Sequence, residues 1–285
     1  FKQKTAFEIK ECDWSSDVCS SDLAILHHRY PPETAQEWDR VGLEFGELSR
    51  PVTKVYFAVD VLPQTVEEAL DWGADFFIAH HPLFLFAFVE PKPGEEAKPI
   101  ALWKTKIAER LKSAEIPLLI AHTNADIAHP GVNDALAEVL GLINIESMPE
   151  GLGRIGEIVR PVPLHKFLEQ ISRSIPVGVN GVRATGSADQ LIKRVALCGG
   201  SGDDRFEIVQ DLGVDAFLTS DLKHHRVSEA LAAGAPILID AGHFATEWPW
   251  LPQAARLLAE DLEQGGYAPV EMKISEISTD PWRAR

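Results

Sequence analysis

The chain has 285 residues, 45% hydrophobic and 25% charged, with 27 basic against 43 acidic side chains and a net charge of −16. This is the composition of an ordinary globular protein of about two domains at ~150 residues each. No apolar run approaches the ~20 residues a membrane helix needs, and the acidic balance opposes nonspecific binding to nucleic acid or anionic membrane. Three cysteines, Cys12, Cys19 and Cys198, do not make a secreted disulfide framework, so a reducing, cytoplasmic setting is expected.

Residues 1–23, FKQKTAFEIKECDWSSDVCSSDL, lack the apolar centre of a signal peptide. They resemble the translation of a sequencing adapter and are expected to be an artefactual tail, with the natural chain beginning near Ala24. Setting the tail aside removes Cys12 and Cys19 and leaves Cys198.

From Ala24 onward, short apolar runs alternate with helical patterns. In chain order the sequence predicts strand Val55–Val59, helix Gln64–Asp71, strand Phe76–Ala79, helix Ile100–Ala114 and strand Leu118–Ala121. Helices Val132–Leu140 and Leu164–Ser174 follow, then strand Val195–Cys198, helix Phe206–Leu212, strand Ala216–Thr219, helix His225–Ala233, strand Ile237–Ile239 and helix Pro252–Gln264. The strands are apolar at successive positions, as expected when both faces of a sheet are covered. Several helices run into a glycine (Gly73, Gly141, Gly213, Gly234, Gly265), a common C-terminal cap. Alternation of this kind implies a layered α/β fold with mainly parallel sheet. Glu90–Pro99 reads as a surface connection, and Glu146–Gly156 as a crossing between domains.

Ligands of open α/β sheets gather beyond the carboxyl ends of the strands, and most of the histidines stand there. His80 and His81 follow Phe76–Ala79, and Pro82 then interrupts the ladder. His122, Thr123, Asn124 and Asp126 follow Leu118–Ala121. Asp240, Gly242, His243 and Glu247 follow Ile237–Ile239, with His243 and Glu247 at the spacing of one helical face. Thr246 is expected to cap the helix starting there, with Pro249 in its first turn. Three clusters at three strand ends point to a metal site. Imidazole mixed with carboxylate, without thiolate, suits Zn, Mn, Fe, Ni or Co. Three histidines and two acids out of these clusters already exceed the needs of one tetrahedral ion and match two ions ~3.5–4 Å apart sharing a carboxylate and a water.

HHPLF (His80–Phe84), AHTNADIAHPGVNDALAEVLGL (Ala121–Leu142) and DAGHFATE (Asp240–Glu247) resemble the three signatures of the NIF3-like dinuclear metal-centre family, whose members are named as homologues of a type 2 GTP cyclohydrolase. EWDRVGLEFG (Glu37–Gly46) resembles its N-terminal motif, with Arg40 where an asparagine is usual. CGGSGDD (Cys198–Asp204) and TSDLKHH (Thr219–His225) resemble motifs of its second domain. The similarity runs from Leu26 to Leu262. It implies a two-lobed α/β protein with the second lobe inserted in the first: residues 24–130 plus 235–285 as the metal-binding lobe and 131–234 as the insertion. It also implies a short form without an extra middle domain, and a homo-oligomer, a ring-shaped hexamer. Carried over by motif, the metal ligands are His80, His81, Asp126, His243 and Glu247, holding two divalent ions, with Glu247 the bridging carboxylate. His122 is implied to lie beside the metals and is assigned the catalytic proton shuttle.

Other features have competing readings. The Cys198–Gly202 turn is either an anion-binding loop or a turn that simply requires glycine. Asp60 either supports a ligating histidine or caps the turn before Pro63. Trp38 reads either as a packing anchor or as a loop tryptophan beside a cavity that stacks on a base, and Trp248 and Trp250 as core residues that can also line a pocket. His224 and His225 belong to the second lobe, and Lys223 and Arg226 are the cations near the site. The leading functional reading is a dinuclear metal-dependent hydrolase acting on a small polar substrate such as a purine nucleotide. The alternative is a non-catalytic metal carrier, insertase or regulatory scaffold using the same residues. Nothing points to a membrane or nucleic-acid partner.

Overall fold

A computed structural model describes residues 18–47, 51–84 and 99–283. Residues 1–17 of the expected tail and most of Glu90–Pro99 therefore lie outside the described residues, while 18–23 open the first helix.

The first half comprises helix α1 (Val18–Arg29), strand β1 (Gly42–Phe45), β2 (Lys54–Ala58), α2 (Pro63–Trp72), β3 (Phe76–Ala79), α3 (Pro99–Ser113), β4 (Leu118–Ile120), α4 (Thr123–Ile127) and α5 (Val132–Val139). The second comprises β5 (Ile143–Ser147), β6 (Arg154–Pro163), α6 (Leu164–Ser174), β7 (Arg183–Ala184), β8 (Leu191–Ser201), α7 (Phe206–Gln210), β9 (Ala216–Ser220), α8 (His224–Ala232), β10 (Ile237–Asp240), α9 (His243–Glu247), α10 (Trp250–Gln264) and β11 (Glu271–Ile274).

These strands form two sheets, β1-β4-β3-β2-β11 and β5-β6-β8-β9-β10-β7. In the first, β4, β3, β2 and β11 are parallel and only β1 runs against them. In the second, β8, β9 and β10 are parallel, with antiparallel strands outside them. The continuous apolar runs have the cause expected from the sequence. Alternate side chains of the first sheet (Val55, Phe57, Phe76, Ile78, Leu119) pack under α10 and α1. The intervening ones (Tyr56, Ala58, Phe77, Leu118, Ile120) pack under α2 and α3. In the second sheet Val195, Leu197, Leu218 and Ile239 face α6, while Ala196, Cys198, Phe217 and Leu238 face α7 and α8. Each such large aliphatic or aromatic side chain removed from water contributes roughly 1.5–3 kcal/mol.

Helix α5 joins the halves: Val132 and Ala135 enter the core under the first sheet, and Leu136 and Ala137 the core of the second.

Several expectations are corrected. Glu146–Gly156 is not a crossing between domains but the bend of an antiparallel hairpin, β5 onto β6, inside the second sheet. Ile237–Asp240, assigned with 235–285 to the first lobe, pairs with Ala216–Thr219 in the second sheet, because its apolar side chains complete that core. Thr246 lies inside α9 and does not cap it. Pro249 directly precedes α10 and lies outside the first turn of α9. Among the described residues no helix is long and apolar enough to cross a membrane.

Candidate metal centre

The carboxyl ends of β2, β3 and β4 in one sheet meet those of β8, β9 and β10 in the other. His80 and His81 prolong β3: their backbone N–H groups still donate to Ala58 and Val59 carbonyls, at 3.2 and 2.8 Å, before Pro82 ends the ladder. Helix α4 starts directly after His122 and carries Asp126 on its first turn. His243 and Glu247 are the first and last residues of α9, one turn apart.

The structure brings all six predicted side chains together. Glu247 Oε1 lies 3.0 Å from His243 Nε2 and 3.4 Å from His80 Nε2, and Glu247 Oε2 lies 3.2 Å from His81 Nε2. Asp126 Oδ1 is 3.8 Å from His80 Nε2. The His122 ring sits 5.1 and 5.5 Å from those of His80 and His81, and His81 Nε2 and His243 Nε2 are 3.3 Å apart. His80, His81 and His122 offer one set of atoms spaced to hold a metal ion; His81, His243 and Glu247 offer another.

Each imidazole is fixed from behind at Nδ1. His80 donates to the Ala121 carbonyl (2.8 Å), His81 to Asp60 (2.8 Å), His122 to Asp39 (2.8 Å) and His243 to Asp221 (2.6 Å). A donor at Nδ1 leaves the Nε2 lone pair facing the common centre, the arrangement that orients metal-binding histidines. A second observation tests the fit to a cation. His80 Nε2, Asp126 Oδ1 and Glu247 Oε2 are buried with no hydrogen-bond partner among the described residues. Unsatisfied buried polar atoms are costly, and an ion between them removes that cost. The donor set of nitrogen and oxygen fits a divalent transition metal or zinc.

Without metal, protons take the cation's place. Glu247 is the main cause of the rise of His243 to about 11. Burial disfavours a charged His81, yet Glu247 and Asp60 outweigh it and push the ring up to about 10. His80 is raised in the same way, against burial, by Glu247 and Asp126. Burial opposes the charge on Glu247, but His243, His81 and His80 hold it well below the usual carboxylate range. Burial raises Asp126.

Of the two readings of Asp60, support of His81 is the one observed. Asp39 and Asp221, which play the same part for His122 and His243, were not singled out from the sequence. Asp221 adopts a left-handed conformation (φ 57°), uncommon for a residue with a side chain. Gly200 explains the glycine-rich turn. Its φ is +66°, and a Cβ there would stand 2.4 Å from Glu247 Oε1 and 3.3 Å from His243 Nε2. Its N–H donates to Thr246 Oγ1, and its carbonyl accepts from Thr219 and Ser220. The turn therefore presses backbone against the centre.

Trp38 is not a packing anchor: it is 55% exposed and stands edge-on to His122 at 5.9 Å. Trp250 is fully buried against Tyr30 and 5.5 Å from the His80 ring, and Trp248 is held by the Ser275 carbonyl. His224 and His225 pair with each other on the exposed start of α8. Lys223 and Arg226 bind Asp203. A cavity of about 520 Å³ opens beside His81 and His243, and among the described residues Arg183, bonded to Asp240, is the Lys or Arg side chain in its wall.

The chain is similar to known proteins in sequence and in fold. The family model Duf34/NIF3 (NGG1p interacting factor 3) matches residues 20–281. The Streptomyces coelicolor protein named GTP cyclohydrolase 1 type 2 homolog is 39% identical over 274 residues, 93% of each chain. A Mycobacterium leprae protein of the same name is 28% identical, covering 91% of this chain and 94% of its own. That alignment runs over 373 positions, so it carries sequence this shorter chain lacks. Among solved structures, a Staphylococcus aureus hypothetical protein superposes with a TM-score of 0.82 at 28% identity, covering 94% of this chain and 99% of its own. A Bacillus cereus protein related to NIF3 shares the fold, with a TM-score of 0.83 at 24% identity over 94% and 99% of the two chains.

Proposed function

This chain belongs to the Duf34/NIF3 family, and from that premise we propose that it is a cytoplasmic, homo-oligomeric, divalent-metal-dependent hydrolase of a small polar substrate, with a purine nucleotide the leading candidate. The observation that carries the reading is the ring of four imidazoles, each tied at Nδ1, around the unpartnered buried atoms of His80, Asp126 and Glu247.

His80, His81, Asp126, His243 and Glu247 would hold two ions, with Glu247 reaching both groups. Bound divalent ions supply a nucleophilic water near neutral pH and polarise the attacked centre. His122 is assigned the proton transfer. Asp39, itself held by the Thr123 N–H and hydroxyl, fixes its Nδ1–H and leaves Nε2 to accept a proton. Burial works against the charge on Asp39, but His122 and Thr123 hold it well below the usual range, so it stays an anion behind the ring. The cavity beside His81 and His243 is large enough for a substrate of nucleotide size, within the roughly 300–1,000 Å³ of small-molecule sites. Its wall carries Asp60, Asp221, Asp240 and Asp280 against Arg183. That balance favours a neutral N–H-bearing part of the substrate, such as a nucleobase, in the cavity, with any phosphates outside it.

The test is turnover of a nucleotide panel including GTP by protein loaded with zinc or manganese, beside a His81→Ala control. Turnover above the control supports the hydrolase; none with any metal rejects it, and ion transfer to a metal-free acceptor enzyme would then favour the carrier. His122→Gln should lower the rate by roughly 10²–10⁴-fold with metal retained. Loss of metal would make His122 a ligand.

A further inference from the structure

We propose that Thr279, on the segment following β11, is a positioning residue for His81, acting through Asp60. The proposal rests on the metal-site reading above and adds to it a residue some two hundred positions distant in the chain. Asp60 lies two residues beyond β2 and binds His81 Nδ1 with Oδ1. Its other oxygen, Oδ2, accepts a hydrogen bond from the Thr279 hydroxyl. A carboxylate rotates over a broad range about its terminal torsion, so one bonded oxygen does not set its plane. A second bond, from a fixed donor, does.

The donor is fixed. Thr279 is 8% exposed, and the segment leading to it is tied down at Ser275. The Ser275 N–H donates to the Phe57 carbonyl (2.8 Å), its hydroxyl to Glu68 (2.8 Å), and its carbonyl accepts from the Trp248 indole (2.9 Å). Trp248 directly follows Glu247, so the same segment touches the chain on both sides of the candidate centre. Beyond Thr279, Asp280 and Trp282 continue along the wall of the cavity that His81 faces. Asp39 and Asp221 receive no comparable bond from this segment among the described residues. The effect therefore concentrates on His81.

The experiment uses the full chain carrying Thr279→Val or Thr279→Ser, with His81→Ala as control. Each is titrated with cobalt(II) in the presence of a competing chelator and followed by visible absorption, which reports both affinity and ligand geometry. The valine variant should bind the His81-dependent ion roughly tenfold more weakly, at the low end for partners behind a metal ligand, with a shifted absorption band. The serine variant should restore both. The metal-free valine variant should melt a few degrees lower, because Asp60 Oδ2 loses its donor, and the serine variant should melt as wild type does. Wild-type affinity and spectrum in the valine variant, or a serine variant as impaired as valine, overturns the proposal. If wild type and His81→Ala bind cobalt alike, the metal-site reading itself fails, and this inference with it. Should the valine variant not fold, Thr279→Ala replaces it with the same expectation.

Discussion

Glu247 Oε2 lies 3.2 Å from His81 Nε2, across the gap between two sheets that share no strand. His81 extends the first sheet, and Glu247 sits on the helix that leaves the second. The contact exists only when both sheets and the turn of α9 are in place, so the candidate centre depends on their docking as well as contributing to it.

Metal uptake should release protons and strengthen as pH rises. Glu247 raises both His81 and His243 well above the ordinary imidazole value in the metal-free protein, whereas a ligating imidazole must be neutral. The metal-free fold loses stability towards both ends of the pH range. The two raised histidines stabilise it fully below about 6.5, their unfolded value, and that contribution is lost as pH climbs through about 10 to 11. Glu247, depressed, stabilises it above its ordinary value of about 4.5, and that contribution is lost as pH falls through the lower folded value. Metal should reverse the upper limb. Zinc added to weakly buffered protein at pH 7 should acidify the solution, and no proton release would contradict the assignment.

Gly200→Ala should damage the centre and the fold together. The new methyl would meet Glu247 Oε1 at 2.4 Å at a left-handed backbone position, and a side chain in that conformation alone costs about 1–3 kcal/mol. Chemical denaturation should show the loss, and metal content should fall with it. Gly181→Ala, also at positive φ but with open space around its Cβ, should spare metal binding.

Arg154→Ala should unfold the protein more readily while leaving the ligand chemistry unaltered. Arg154 is completely buried and grips Asp134 with two nitrogens at 2.9 and 2.6 Å, while also donating to the Gly151, Gly153 and Ala128 carbonyls. Removing one partner of such a pair leaves a buried charge and costs about 3–5 kcal/mol. Urea unfolding is the check, and a change under ~1 kcal/mol would be too small for the effect described.

Much of this was legible in the sequence, for physical reasons. The strands β2, β3, β4, β8, β9 and β10 are covered on both faces, so they read as unbroken apolar runs. Histidine and acid at their carboxyl ends marked the centre. The edges were not legible. β5 is exposed at nearly every position and β7 has two residues, so neither carries a pattern. Asp39, Asp221 and Thr279 act through contacts with residues 83, 22 and 219 positions away, and no periodicity ties such distant segments together. Trp38 reads as a packing residue because so large an aromatic side chain is buried on average. Only the fold shows it standing exposed at the edge of His122.

In the proposed centre Glu247 joins two metal positions. Metal content of purified, metal-saturated protein, measured by mass spectrometry for wild type and Glu247→Gln, tests it most directly. Two tightly held ions per chain are expected in the wild type and fewer than one in the variant. Two ions in both proteins, or none in the wild type, would contradict it.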